Sequence, residues 1–472
     1  MNRRRLLAAA VIAVGMLAMV PQAAVAHGLV GREDLPIPKW LFGWAATVVL
    51  VVSFVGLAVL WPKPRLEYAG ERRLVSLPKV LDSICGAIGV AIFVLVVYAG
   101  FAGSQTTAAN IAPIFDFTIF WIAIPIASLL FGDVFKAFNP WRAIARAAAA
   151  IASAVSRKPL PAPMAYPAAL GRWPAVLGIL GFVWFELVFQ HRDIPSNHAI
   201  IILVYAAIQF VGMSLYGIAP WTRYGDAFGV YFGLFARMSP LRWTRRTLYG
   251  RMPLSGLTTL DIVPGTVVLV CTMIGTTSFD GFSNGPVWNS IQPRMATSLR
   301  DIGLSQATAN EISFTIGLIS VVAIVTGLYW LGVAGMRGAA HTKMSTEELA
   351  GRFAHTLVPI ALAYVVAHYF SLLATQGQAM FYLVSDPLGT GANIFGTADA
   401  TIDYTLFSAT AIWYIQVAAL VLGHVAGLVL AHDRALVTFK DSRAATRSQY
   451  WMLAVMIAFT SLGLWLLSAA NS

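Results

Sequence analysis

The side chains able to do chemistry are few, and the most informative sit in apolar surroundings. Glu186 lies within Trp184-Phe185-Glu186-Leu187, Asp280 closes the run Thr276-Thr277-Ser278-Phe279-Asp280, and His368 lies within Val365-Val366-Ala367-His368-Tyr369-Phe370. Carboxylates joined by an imidazole make either a metal-ligand set or an acid–base set. Glu186, Asp280 and His368 are therefore the candidate catalytic residues, and the same three are candidate ligands of a divalent metal ion. His27 is a fourth candidate ligand. As a new N-terminus it would offer amine and imidazole together, a site that suits Cu(II), with His191 or His198 as a further donor. Each of these residues also has a plainer reading. The first three would fix helix packing through polar contacts, and His191, Asp193 and His198 would be solvated loop residues.

Other motifs carry less. Paired histidines on two helices could hold a haem, but His355 and His368 are 13 residues apart. At about 100° per residue they do not share a helix face. Gly281-Phe282-Ser283-Asn284-Gly285 matches GxSxG, yet a nucleophile elbow needs a preceding strand, and an apolar helical segment stands there instead. The chain has no phosphate-binding GxxxxGK[ST], no GxGxxG and no HExxH. Cys85 and Cys271 lie in apolar stretches without CxxC spacing and read as small core residues.

The elements that must position these residues are membrane helices. The 472 residues are 58% apolar and 11% charged, against about 25% charge in soluble chains. A spanning helix needs about 20 largely apolar residues. Ten such segments are expected: 41–61, 80–101, 114–133, 173–190, 197–219, 257–277, 312–335, 354–375, 405–430 and 449–468. The fold class is thus all-α, a polytopic transmembrane bundle. Residues 1–26 read as a cleaved signal peptide, with Arg3, Arg4 and Arg5, an apolar stretch and Ala24-Val25-Ala26. Residues 27–472 then form a single membrane domain.

The net charge of +11 points to membrane orientation rather than nucleic acid, because the cations sit between apolar spans. The segments 62–79, 134–172, 220–256, 336–353 and 431–448 hold 24 Lys and Arg, whereas the opposite segments beyond residue 26 hold five. The positive-inside rule then places both termini outside, in a bacterial plasma membrane. Stretches Arg142–Arg157 and Asp226–Met238 are expected to lie along the inner face. Gly132-Asp133-Val134-Phe135 is echoed by Gly225-Asp226-Ala227-Phe228. Asp261 is expected one turn inside its span, before Pro264, which would loosen the helix.

His27 to Arg32 with Asp34 to Pro38, Asn139-Pro140-Trp141-Arg142, Thr276 to Gly281, Gly423 to Ala426 and Ala431 to Leu436 together resemble the bacterial polytopic membrane proteins named fenitrothion hydrolase. The resemblance runs through most of the chain beyond residue 26. It implies hydrolysis of an organophosphorus triester. Metal ions would supply both the activated water and the charge acceptor for such a reaction. Glu186, Asp280 and His368 would then be ligands or a general base, with Asp386, Asp399 and Asp403 in reserve. A small apolar substrate would reach the site through the bilayer. Two alternatives stand beside this. A proton- or metal-coupled transporter would spread its polar residues to both faces around a broken helix, whereas a surface hydrolase would gather them at one. A membrane subunit that scaffolds a partner would need no site at all.

Overall fold

The computed structural model describes residues 39–78, 80–156, 161–244, 246–439 and 442–470. The expected signal peptide and His27 lie outside them. The described chain is mostly helical, because uninterrupted apolar runs can satisfy their backbone in a bilayer only within helices. In order these are α1 (Lys39–Leu60), α2 (Val80–Ala102), α3 (Ile111–Phe131), α4 (Val134–Phe138), α5 (Pro140–Ser156), α6 (Trp173–Leu187), α7 (Pro195–Tyr216), α8 (Ile218–Tyr224) and α9 (Ala227–Ala236). There follow α10 (Thr266–Ser283), α11 (Pro286–Asp301), α12 (Gln306–Ala340), α13 (Thr346–Leu383), α14 (Ala409–Thr438) and α15 (Ser442–Ala470). Seven of them, α2, α3, α7, α10, α12, α13 and α14, are long and apolar enough to cross a membrane. The expected spans 41–61 and 173–190 fall on shorter apolar helices, and 449–468 falls within α15.

Three expectations change. The span drawn over 257–277 begins only at Thr266, and Asp261 and Pro264 precede the helix. Arg172 donates through its backbone N–H to Pro264 O and through Nη1 to Asp261 O and Thr266 Oγ1, so this segment is a pinned loop and not a loosened helix. The chain also contains strands. β1 (Glu71–Ser76), β2 (Leu241–Thr244) and β3 (Thr247–Arg251) form an antiparallel sheet in the order β1-β3-β2. Glu71 pairs with Arg242 across it, and the Trp243 indole donates to Phe131 O at the end of α3. The sequence there alternates too briefly and with too much charge to stand out. Finally, α9 does not lie along a face. Its run Ala-Phe-Gly-Val-Tyr-Phe-Gly-Leu-Phe-Ala is apolar on all sides, as a buried helix must be, and nearly every residue is buried.

The echoed motif has a structural meaning. Asp133 caps α4 by accepting from Lys136 N, and Asp226 caps α9 by accepting from Gly229 N, the standard use of aspartate before a first helical turn. Asp226 also receives Tyr205 OH at 2.7 Å and Asn139 Nδ2 at 2.8 Å. Around α9 an aromatic core forms with α3 and α6, including the stacked Trp121–Tyr231 pair at 4.8 Å. In the second half of the chain, α13 packs along α14, and α12 packs against α10 and α15.

Candidate functional site

Two aspartate–histidine pairs stand at one end of the bundle. In the first, His368 Nε2 lies 2.9 Å from Asp280 Oδ2, and Tyr369 OH donates to the same oxygen at 2.6 Å. Almost four helical turns from its start, α10 carries Asp280 out of an almost wholly buried run, and α13 brings His368 and Tyr369 against it. The His368 side chain keeps 22% of its surface exposed, and that of Asp280 keeps 13%. Asp280 accepts only, so the His368 nitrogen facing it carries the proton, an assignment made from the hydrogen bond. The other nitrogen, Nδ1, then presents a lone pair.

In the second pair, His198 Nδ1 lies 3.0 Å from Asp116 Oδ2, and His198 Nε2 lies 2.7 Å from Arg192 O. The expectation of a solvated His198 is corrected: it sits in the first turn of α7, fully buried, with Phe117 and Phe185 edge-on to its ring. Both its nitrogens are engaged, which removes it as a further donor to a copper at His27. Asp116 is the second residue of a stretch of wide π-helical turns, Phe115–Ala123, an irregularity that often marks functional positions. Alternation of apolar residues gives no hint of such a change in winding.

Glu186 is half-buried, and its enclosed Oε2 makes no hydrogen bond with a described residue. It feels the charges of Asp280, Asp116 and Arg192, so it lies near both pairs without joining either. The structure thus unites two of the three expected catalytic residues and sets the third nearby. A metal fits poorly. Among the described residues no group of three or more His, Cys, Asp or Glu is arranged to hold one. Asp280 and His368 offer two donors, and they bond each other.

The remaining candidates are structural or peripheral. Ser283 of the GxSxG match donates to Asp280 O at the end of α10, with a helix before it and no elbow. His424 is buried and bonded to Leu420 O, and His355 is buried separately near Arg434. Asp386 binds the amides of Thr390 and Gly391, and Asp403 binds Thr405. Asp399 is exposed.

No family model matches this chain, and neither does any curated protein or solved structure.

Proposed function

We propose that this multi-pass membrane protein hydrolyses an apolar ester at the Asp280–His368–Tyr369 site, of the organophosphorus triester class implied by its resemblance to the fenitrothion hydrolase proteins. The observation that carries the reading is the engagement of His368 Nε2 by Asp280, which leaves Nδ1 as a base on a partly exposed ring. Nδ1 takes a proton from water as the water oxygen forms a bond to phosphorus and the bond to the aryloxide breaks. Asp280 stabilises the imidazolium so formed, and Tyr369 holds the carboxylate in register. The distribution of polar groups supports a one-faced site. Asp116, Glu186, His198, Asp280 and His368 gather at one end. Asp226 and Asp433, toward the other end, are locked in structural hydrogen bonds.

The test is nitrophenol release from a nitrophenyl phosphotriester by detergent-purified protein. Turnover should persist with a chelator, because the base belongs to the protein. It should vanish in His368→Ala and fall by about 10²–10⁴ in Asp280→Asn. A folded protein with no turnover, or full turnover in His368→Ala, defeats the proposal. Chelator-sensitive turnover defeats its metal-free form.

Glu186 favours one second reading. A half-buried carboxylate with an enclosed, open oxygen near two Asp–His pairs is a step in a proton relay. Proton-coupled transport would make Glu186→Gln abolish proton flux into liposomes. Hydrolysis at His368 would survive that change.

A further inference from the structure

A cavity of about 620 Å³ lies between α2, α3, α6 and α7, floored by Phe120, Phe182 and Phe228. Its size falls within the range of about 300–1,000 Å³ common for small-molecule sites. Leu177 on α6 and Val204 and Ile208 on α7 line it and are half or more exposed. Exposed apolar residues on membrane helices face acyl chains, so the cavity opens sideways to lipid. The polar groups in its wall are mostly satisfied: Tyr205 OH bonds Asp226, and Gln209 accepts from the Trp221 indole. Two are open. Asp116 is 5% exposed and uses Oδ2 on His198, with no described donor on Oδ1. The Trp141 indole N–H is buried without an acceptor among the described residues.

From this we infer that the cavity binds a neutral, long-chain molecule taken laterally from the bilayer, with a hydroxyl head that donates to Asp116. The apolar walls hold the chain, and with Oδ2 facing His198 the remaining Oδ1 only accepts, which in a low-dielectric wall disfavours a carboxylate head with no proton to donate. The site is separate from the His368 dyad, and its test does not depend on turnover.

The experiment uses the full chain in lipid nanodiscs with two probes: a long-chain alcohol bearing a diazirine in the chain, and the fatty acid of equal length. Light should attach the alcohol to peptides spanning Leu177–Phe182 and Val204–Ile208, in competition with unlabelled alcohol. The fatty acid should label them less, and that preference should collapse in Asp116→Asn. Gly181 lines the cavity, and a Cβ there meets nothing within 4 Å, so Gly181→Phe should fold with an unchanged melting temperature and lose the labelling. Leu177→Trp at the mouth provides a second block should Gly181→Phe misfold. Labelling spread evenly over lipid-facing helices, labelling untouched by both blocks, or equal labelling by the two probes overturns the inference.

Discussion

Asp433 commits both carboxylate oxygens to a loop more than 360 residues away in sequence. Oδ1 accepts from Trp61 Nε1 at 2.8 Å and Arg65 N at 2.6 Å, and Oδ2 accepts from Leu66 N at 3.0 Å and Glu67 N at 2.9 Å. Its neighbours join in: His432 Nε2 meets Trp61 O at 2.9 Å, and Arg434 pairs with Glu67. The His-Asp-Arg run therefore clamps the α1–β1 connection onto α14. Asp433→Ala strands three backbone amides and an indole, and should cost about 3–5 kcal/mol, the usual toll of breaking a buried charged network. A thermal melt in detergent measures it, and an unchanged midpoint would refute the clamp. Asp386 tests the same logic by pH. Slight burial raises its pKa, but the amides of Thr390, Gly391, Ala392 and Gly389 outweigh this and hold the carboxyl below its ordinary value. A depressed carboxyl contributes stability that is full above its unfolded pKa and lost as pH falls through the folded one. Protection of the 385–397 amides, measured against their intrinsic exchange rates, should fall below the usual carboxylate range, near pH 4. Asp386→Asn should exchange faster even at neutral pH.

Glycines set the closest helix approaches. A Cβ at Gly423 would meet Ala363 Cβ at 2.3 Å and Pro359 O at 2.8 Å, so α14 touches α13 through bare backbone. Gly423→Ala should destabilise by about 1–3 kcal/mol, the ordinary cost of overpacking. Gly327 on α12 meets nothing within 4 Å and is exposed, so Gly327→Ala should stabilise slightly through helix propensity. Opposite signs in paired detergent melts are the check. Element positions were legible because apolar length is a strong signal. The segment containing Cys271 shows where that signal stops: Leu260 and Ile262 extend its apolar run, while Pro264, Gly265 and Arg172 fix the helix start at Thr266. The site was half legible. Asp280 and His368 stood out as polar residues in apolar runs, but nothing local distinguishes His198, which looks like a loop residue until α7 buries its first turn against α3.

Contacts between connecting segments divide the whole molecule into two ends. At one, β1 pairs with β3, Arg142 and Arg146 hold Asp82, Arg434 reaches Thr258 O, and Asp433 holds the residues after α1. At the other, Thr107 reaches Asp193 O, Ser196 N reaches Gln105, Gln190 N reaches Glu311, and Tyr382 reaches Ala108 O. The contacts between two inter-span segments join segments that the cation count assigns to the same side, and Asp82, Thr258 and Gln190 lie at the matching ends of their spans, although the count knows nothing of packing. The first end also holds the basic residues Arg223, Arg237, Arg242 and Arg251, as a cytoplasmic face should. The Asp–His pairs occupy the second end, so a substrate site there would face outward. A membrane-impermeant maleimide decides the matter in intact cells. With Cys85 replaced by Ala, a cysteine at exposed Asp399 should label without permeabilisation, whereas one at exposed Arg72 in β1 should label only after it. The reverse pattern would turn the molecule over and place the His368 site in the cytoplasm. Its substrates would then have to be intracellular, and an outward-facing hydrolase would no longer be tenable.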